Sequence, residues 1–136
     1  MVKKIAVLVS LSILLYGCTT VGSLVGVNTI GEKRIAKEII NTKISDTEIN
    51  DFDISDSYKE YIKSPEGRQY YENVRDEMGS LEKMKILAVV KPSNDTLIHV
   101  FKGYFENAET NSKVEITRIT NEGIVKIEVR PMWMSN

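Results

Sequence analysis

The sequence predicts an α+β domain, with N-terminal helices packed on a curved four-stranded antiparallel meander. Three observations lead there. From Ile30 to Met78 the apolar residues recur three and four positions apart, the period of a helix with one buried face. From Met84 to Arg130 they alternate, the period of a strand with one buried face. The alternating runs are joined by short connections, which suit hairpins and exclude crossovers between parallel strands.

Residues 1–17 read as a signal peptide. Lys3 and Lys4 supply a positive start, and Ile5 to Leu15 an apolar run broken only by Ser10 and Ser12. The run is too short for a membrane-spanning helix, which needs roughly 20 apolar residues. It closes on Leu15-Tyr16-Gly17-Cys18, and Cys18 is the only cysteine of the chain. This ending resembles the bacterial lipobox, although Tyr16 is larger than the usual residue there. The resemblance implies a covalent lipid on the Cys18 thiol, cleavage just before it, and a lipoprotein held in the bilayer of the cell envelope. Thr19 stands where an Asp would favour inner-membrane retention, so the resemblance implies an outer-membrane destination if the cell has an outer membrane. The alternative is an ordinary cleaved signal with an incidental cysteine.

Residues 18–29 form the acylated N-terminus and tether, and residues 30–136 a single α+β domain. The tether mixes Gly22, Ser23 and Gly26 with Val21, Leu24, Val25 and Val27. Two readings stand: a segment that packs on the membrane or a partner, or a loose leader against its own domain. Eighteen basic and nineteen acidic residues leave the chain near neutral. Removing Lys3 and Lys4 makes the remainder slightly acidic. No large basic surface is expected from this balance, which makes nucleic acid and anionic lipid headgroups poor partners.

The first helix is expected from Ile30 to Lys43, burying Ile35, Ala36, Ile39, Ile40 and Ile44, with Glu32 suited to the positive end of the helix. Ser45 to Asp56 is an acidic loop. Tested as a calcium loop from Asp51, it has Asp56 where Gly belongs and Ile62 where a bidentate Glu belongs, so the match fails. Ile49, Phe52 and Ile54 are expected to plug this loop onto the core. Asp56 is read as the cap of a helix reaching Lys63. Ser64-Pro65-Glu66 restarts a helix that ends at Met78, with Gly79 as its C-terminal cap and Leu81 on its inner face.

The strands are expected at Met84–Lys91, Thr96–Glu106, Ser112–Thr120 and Ile124–Arg130, with turns at Lys91–Asp95, Asn107–Asn111 and Asn121–Gly123. In the last strand Val125, Ile127 and Val129 should face the core and Lys126, Glu128 and Arg130 the solvent. The second strand is apolar on both faces, so it belongs in the middle of the sheet, with Gly103 as a bulge or bend. The apolar tail Pro131–Asn136 is either a core plug or a small contact patch.

The helix ending in Met78-Gly79-Ser80-Leu81, the strand after it, and the central strand with Gly103-Tyr104-Phe105 resemble the cone-shaped domains of the nuclear transport factor two-like, cystatin-like superfold. The strand Ile124–Pro131 is similar to the final strand of such domains in small bacterial lipoproteins. The resemblance covers about half of the chain and is topological. It implies a curved sheet with a pocket or an interface on its concave side.

Candidate pocket residues are Tyr58, Tyr61, Tyr70, Tyr71, His99, Arg118 and Arg130. Clustered tyrosines either line a ligand pocket or pack at the rim of a small core. His99 is the only histidine, which excludes a zinc site of two or three histidines, and no phosphate loop, dinucleotide fingerprint or serine elbow occurs. No catalytic residue, metal or cofactor is therefore assigned, apart from the covalent lipid. The leading expectation is a non-catalytic envelope lipoprotein that binds another envelope protein. The second is a lipoprotein that binds a small or lipidic ligand, and the third an enzyme using His99.

Overall fold

The computed structural model describes residues 29–107 and 112–131. Cys18 and its signal, the tether, most of the Asn107–Asn111 turn and the tail beyond Pro131 lie outside the described residues. Four helices, α1 (Ile30–Asn41), α2 (Asp46–Ile49), α3 (Asp56–Lys63) and α4 (Pro65–Met78), precede four strands, β1 (Leu81–Ser93), β2 (Thr96–Phe105), β3 (Ser112–Ile119) and β4 (Gly123–Pro131). The strands lie side by side in chain order, every pair antiparallel. The α+β arrangement of helices on a four-stranded meander is therefore the fold of this chain.

Local chemistry accounts for the helix ends. Helix α1 buries Ile35, Ala36, Ile39 and Ile40, as its stripe predicts. It stops at Asn41, two residues before the expected end. Asn41 instead turns its amide to β1, donating from Nδ2 to the Leu81 carbonyl (2.9 Å) and accepting the Leu81 N–H on Oδ1 (2.7 Å). The acidic loop contains the unexpected short helix α2. Ser45 Oγ accepts the Glu48 N–H, and Glu48 Oε1 accepts the Ser45 N–H, a reciprocal cap that the Ser45-x-x-Glu48 spacing encodes. Ser55, not Asp56, caps α3 by accepting the Tyr58 N–H (3.2 Å). Ser64 ends α3 and starts α4, donating to the Tyr61 carbonyl and accepting the Gly67 N–H. Gly79 caps α4 as expected, its N–H on the Arg75 carbonyl.

The sheet departs from the expectation in its phase. β1 starts at Leu81, which is a buried strand residue rather than part of α4, and runs through Pro92. Proline is tolerated there because β1 is an edge strand. The register between β1 and β2 shifts three times, between Leu81 and Lys83, between Ile86 and Ala88 and between Val90 and Ser93, each time with the extra residue in β1. No register shift occurs at Gly103. That glycine serves close packing instead: a Cβ on it would meet Val114 Cγ2 at 2.9 Å and Phe105 Cε1 at 3.2 Å. A further shift between Thr117 and Arg118 rephases β4, leaving Val125 at the bulge. Ile124 and Ile127 are buried and Val129 packs against the core, whereas Val125 does not join it.

One core joins the two layers. The sheet contributes Leu81, Met84, Phe101, Phe105, Val114, Ile116, Ile124 and Ile127; the helical layer contributes the α1 stripe, Ile44, Ile49, Ile54, Tyr58, Ile62, Tyr71 and Val74. Ile49 and Ile54 plug the acidic loop as expected, and Ile54 bridges to Ile124 in parallel. At the β3–β4 turn Gly123 has φ +89° and lies against Asp53, whose carbonyl oxygen a Cβ would approach to 2.9 Å. Only glycine meets both demands.

Among the described residues the other sheet face carries no helix. Register places Lys85 opposite Lys102, Lys102 opposite Lys113, and Lys113 opposite Arg130. One row of four cations thus crosses all four strands. The near-neutral balance suggests no such surface; pairing in space, which composition does not record, creates it.

Candidate functional site

The four candidate tyrosines meet at the free edge of β4. Ser55 starts α3 so that Tyr58 and Tyr61, three residues apart, share one face, and their rings stack with centroids 5.8 Å apart. Ser64 and Pro65 start α4 so that Tyr70 and Tyr71 reach the same strand, in an edge-to-face pair at 4.8 Å.

Two of these tyrosines take both outward backbone groups of a β4 residue. The Ile127 N–H donates to Tyr58 Oη (2.8 Å), and the Ile127 carbonyl accepts from Tyr71 Oη (2.8 Å) and Tyr58 Oη (3.2 Å). The two hydroxyls also bond to each other. Tyr70 Oη accepts the Val129 N–H (2.9 Å) and contacts the Val129 carbonyl (3.3 Å). Further along, the Ser55 N–H donates to the Ile124 carbonyl (2.8 Å) and the Ile124 N–H to the Asp53 carbonyl (3.1 Å). Phenols and the Asp53–Ser55 segment thus occupy the hydrogen-bonding positions of a missing fifth strand.

Outside this seal lies a cleft of about 370 Å³, lined by Ser57, Tyr58, Tyr61, Tyr70, Val125, Lys126, Ile127 and Glu128. Tyr58 and Tyr71 are buried; Tyr61 and Tyr70 are half-buried and form its aromatic wall. Burial pushes all four phenols above the ordinary tyrosine range, with Glu66 adding to the effect at Tyr61. They are neutral at pH 7. Chemically the cleft offers aromatic faces, neutral hydroxyls, and one charge of each sign at its rim.

The structure places the other three candidates outside the tyrosine cluster, although the Arg130 charge is still felt at Tyr70. His99 is buried on the inner face, 5% exposed, and its Nδ1 has no hydrogen-bond partner among the described residues. Burial pulls its imidazole below the ordinary value; Glu32 opposes that and Arg118 reinforces it. Arg118 holds two carboxylates, Glu32 through Nε (3.0 Å) and Asp53 through Nη1 (2.6 Å). This ties the start of α1 and the acidic loop to the end of β3. Arg130 lies on the opposite face, paired with Glu115 (2.9 Å). The sequence marks Glu32 only as a helix-start acid and Asp53 only as part of the acidic loop; no local signal joins them to Arg118, since they stand 86 and 65 residues from it. Ser57, Lys126 and Glu128 of the cleft are legible only once β4 is docked against α3. Among the described residues no group of three or more His, Cys, Asp or Glu is placed to hold a metal ion, and no helix is long and apolar enough to cross a membrane.

Comparison with protein-family models, with curated proteins and with solved structures finds no match.

Proposed function

We propose that this chain is a non-catalytic lipoprotein of the bacterial envelope, held by a covalent lipid on Cys18, that binds another envelope protein as an accessory or assembly subunit. The tyrosine cleft beside β4 is the site that takes an apolar or aromatic group of that partner. The single observation that supports this is the aromatic wall of Tyr61 and Tyr70, left open beside an edge strand whose own hydrogen bonds are already filled. Such a wall recognises side chains rather than adding a strand. The helices-then-meander order also supports the likeness to the nuclear transport factor two-like, cystatin-like superfold.

The test is purification of the lipoprotein from native membranes in mild detergent, with mass spectrometry of what accompanies it. A stoichiometric protein partner is expected, lost at least tenfold in Tyr61→Ala, whose side chain caps no β4 backbone group. Full retention of the partner by a folded Tyr61→Ala variant counts against the cleft. Cys18→Ser tests the anchor separately, with release from the membrane fraction as the expected result.

A second reading rests on the volume of the cleft, which falls within the range of small-molecule sites, about 300–1,000 Å³. A small molecule recurring in native mass spectra, without a protein partner, would favour it.

A further inference from the structure

The sheet face that carries no helix among the described residues, here the uncovered face, carries a charge arrangement that the fold does not need. Lys85, Lys102, Lys113 and Arg130 stand directly opposite one another across all four strands. Like charges in directly opposed cross-strand positions destabilise a sheet. Glu115 offsets part of this, lying 2.9 Å from Arg130 and 3.6 Å from Lys113. On the β1–β2 side Lys83 and Lys102 flank the Tyr104 ring at 5.5 and 5.4 Å, and neither they nor Lys85 form an ion pair among the described residues. The opposite side of the molecule has the reverse sign. From Ile30 to Met78, the span of all four helices, twelve acidic residues stand against eight basic ones, the excess lying in α2, α3 and α4 and not in α1.

We infer that the uncovered face lies on an anionic lipid surface, with the cationic row against the headgroups and the acidic helical layer turned away. A flat row of cations backed by a layer of opposite sign is oriented by a planar negative surface, because both halves of the dipole favour the same pose. Opposed residues on neighbouring strands lie about 5 Å apart, so the row spans only about 15 Å and can meet such a surface together. Eleven residues lead from Cys18 to Thr29. Extended, they reach about 36 Å. Thr29 begins α1 on the far side, near Arg118, five strand residues from the row. That path is roughly 17 Å along the strands plus about 10 Å for the helix layer, so the tether spans it. A basic surface is also the kind of second signal that makes attachment through lipid chains firm. This inference is independent of the tyrosine cleft, which opens at the β4 edge.

The experiment is amine labelling of the full lipidated protein reconstituted in vesicles, read lysine by lysine by mass spectrometry. Phosphatidylglycerol–phosphatidylcholine vesicles are compared with pure phosphatidylcholine. Lys83, Lys85 and Lys102 are expected to label at least fivefold more slowly in the anionic vesicles, while Lys43 and Lys59 on the helical side label equally in both. Raising the salt from about 0.05 M to about 0.5 M, which shortens the screening length severalfold, should abolish the difference. So should Lys85→Glu, read at Lys83 and Lys102. Equal labelling in both vesicles overturns the inference. Protection that appears only in native membranes, and not with lipid alone, overturns it in favour of an acidic protein partner. The readout is a labelling contrast rather than membrane attachment, so failure of the anchor and failure of the face are told apart.

Discussion

Arg118 shows how one side chain sets a local energy balance. Its Glu32 partner is buried at 7% exposure, while Asp53 is exposed, so the two bonds are unequal in consequence. Arg118→Ala leaves the Glu32 carboxylate buried without its cation, at a cost of about 3 kcal/mol. Asp53→Ala, whose charge is solvated, should cost less than about 1 kcal/mol through the lost ion pair. Urea unfolding of the two variants checks the order. His99 makes a pH prediction at the same scale. Its folded value lies below the ordinary 6.5, so the unfolded chain binds the extra proton first as pH falls. Stability is therefore full above about 6.5 and declines as pH drops toward the folded value. Denaturant midpoints at about pH 7.5 and about pH 5 should differ more in the parent than in His99→Gln. These residues also mark where sequence reading reaches its limit. Alternation made legible that His99 shares a strand face with Leu97 and Phe101, though not which face of the doubly apolar β2 turns inward. Its charged neighbours were not, because Glu32 resembles any acid at a helix start until β3 is laid beneath it.

Among elements, β4 is the one whose surroundings matter most. Its two outward backbone positions at Ile127 and Val129 are filled by three phenols, which removes the exposed edge that otherwise invites pairing with another chain. Among the described residues Tyr58 is the only partner of the Ile127 N–H, whereas the Ile127 carbonyl has two. Tyr58→Phe should therefore cost about 1–2 kcal/mol and Tyr71→Phe less, a difference that thermal unfolding of the two variants measures. The helices and strands themselves were readable from period and caps: Ser64-Pro65, Gly79 and the alternation in β2 placed them. The phase of β1 and β4 was not, since a bulge adds one residue and leaves no mark in an alternating run. The tyrosine cluster was visible as a cluster. That its hydroxyls point at backbone groups became readable only with the register of β4.

At the scale of the whole molecule, cations gather in one row on the sheet and acids between Ser45 and Met78, and net charge conceals both. The row on the uncovered face costs stability in the free protein. Lys85→Glu places an acid opposite Lys102 and should raise stability by about 0.5 kcal/mol at low salt, with the gain shrinking as salt rises. A more stable variant that loses its labelling contrast on anionic vesicles would display a surface kept for contact rather than for folding.

The seal on β4 also has an order in time. Its hydroxyls come from residues 56 to 69 positions upstream of the backbone groups they occupy. Neighbouring strands can zip through short turns, but the seal requires closure of a long loop, so it forms after the hairpins. A newly made chain passes through an interval in which β4 is paired on one side and bare on the other. Loss of a late contact speeds unfolding rather than slowing folding. Tyr58→Phe should accordingly steepen the escape from the native state while leaving the refolding rate nearly unchanged, so that the interval of exposure is revisited more often without lasting longer.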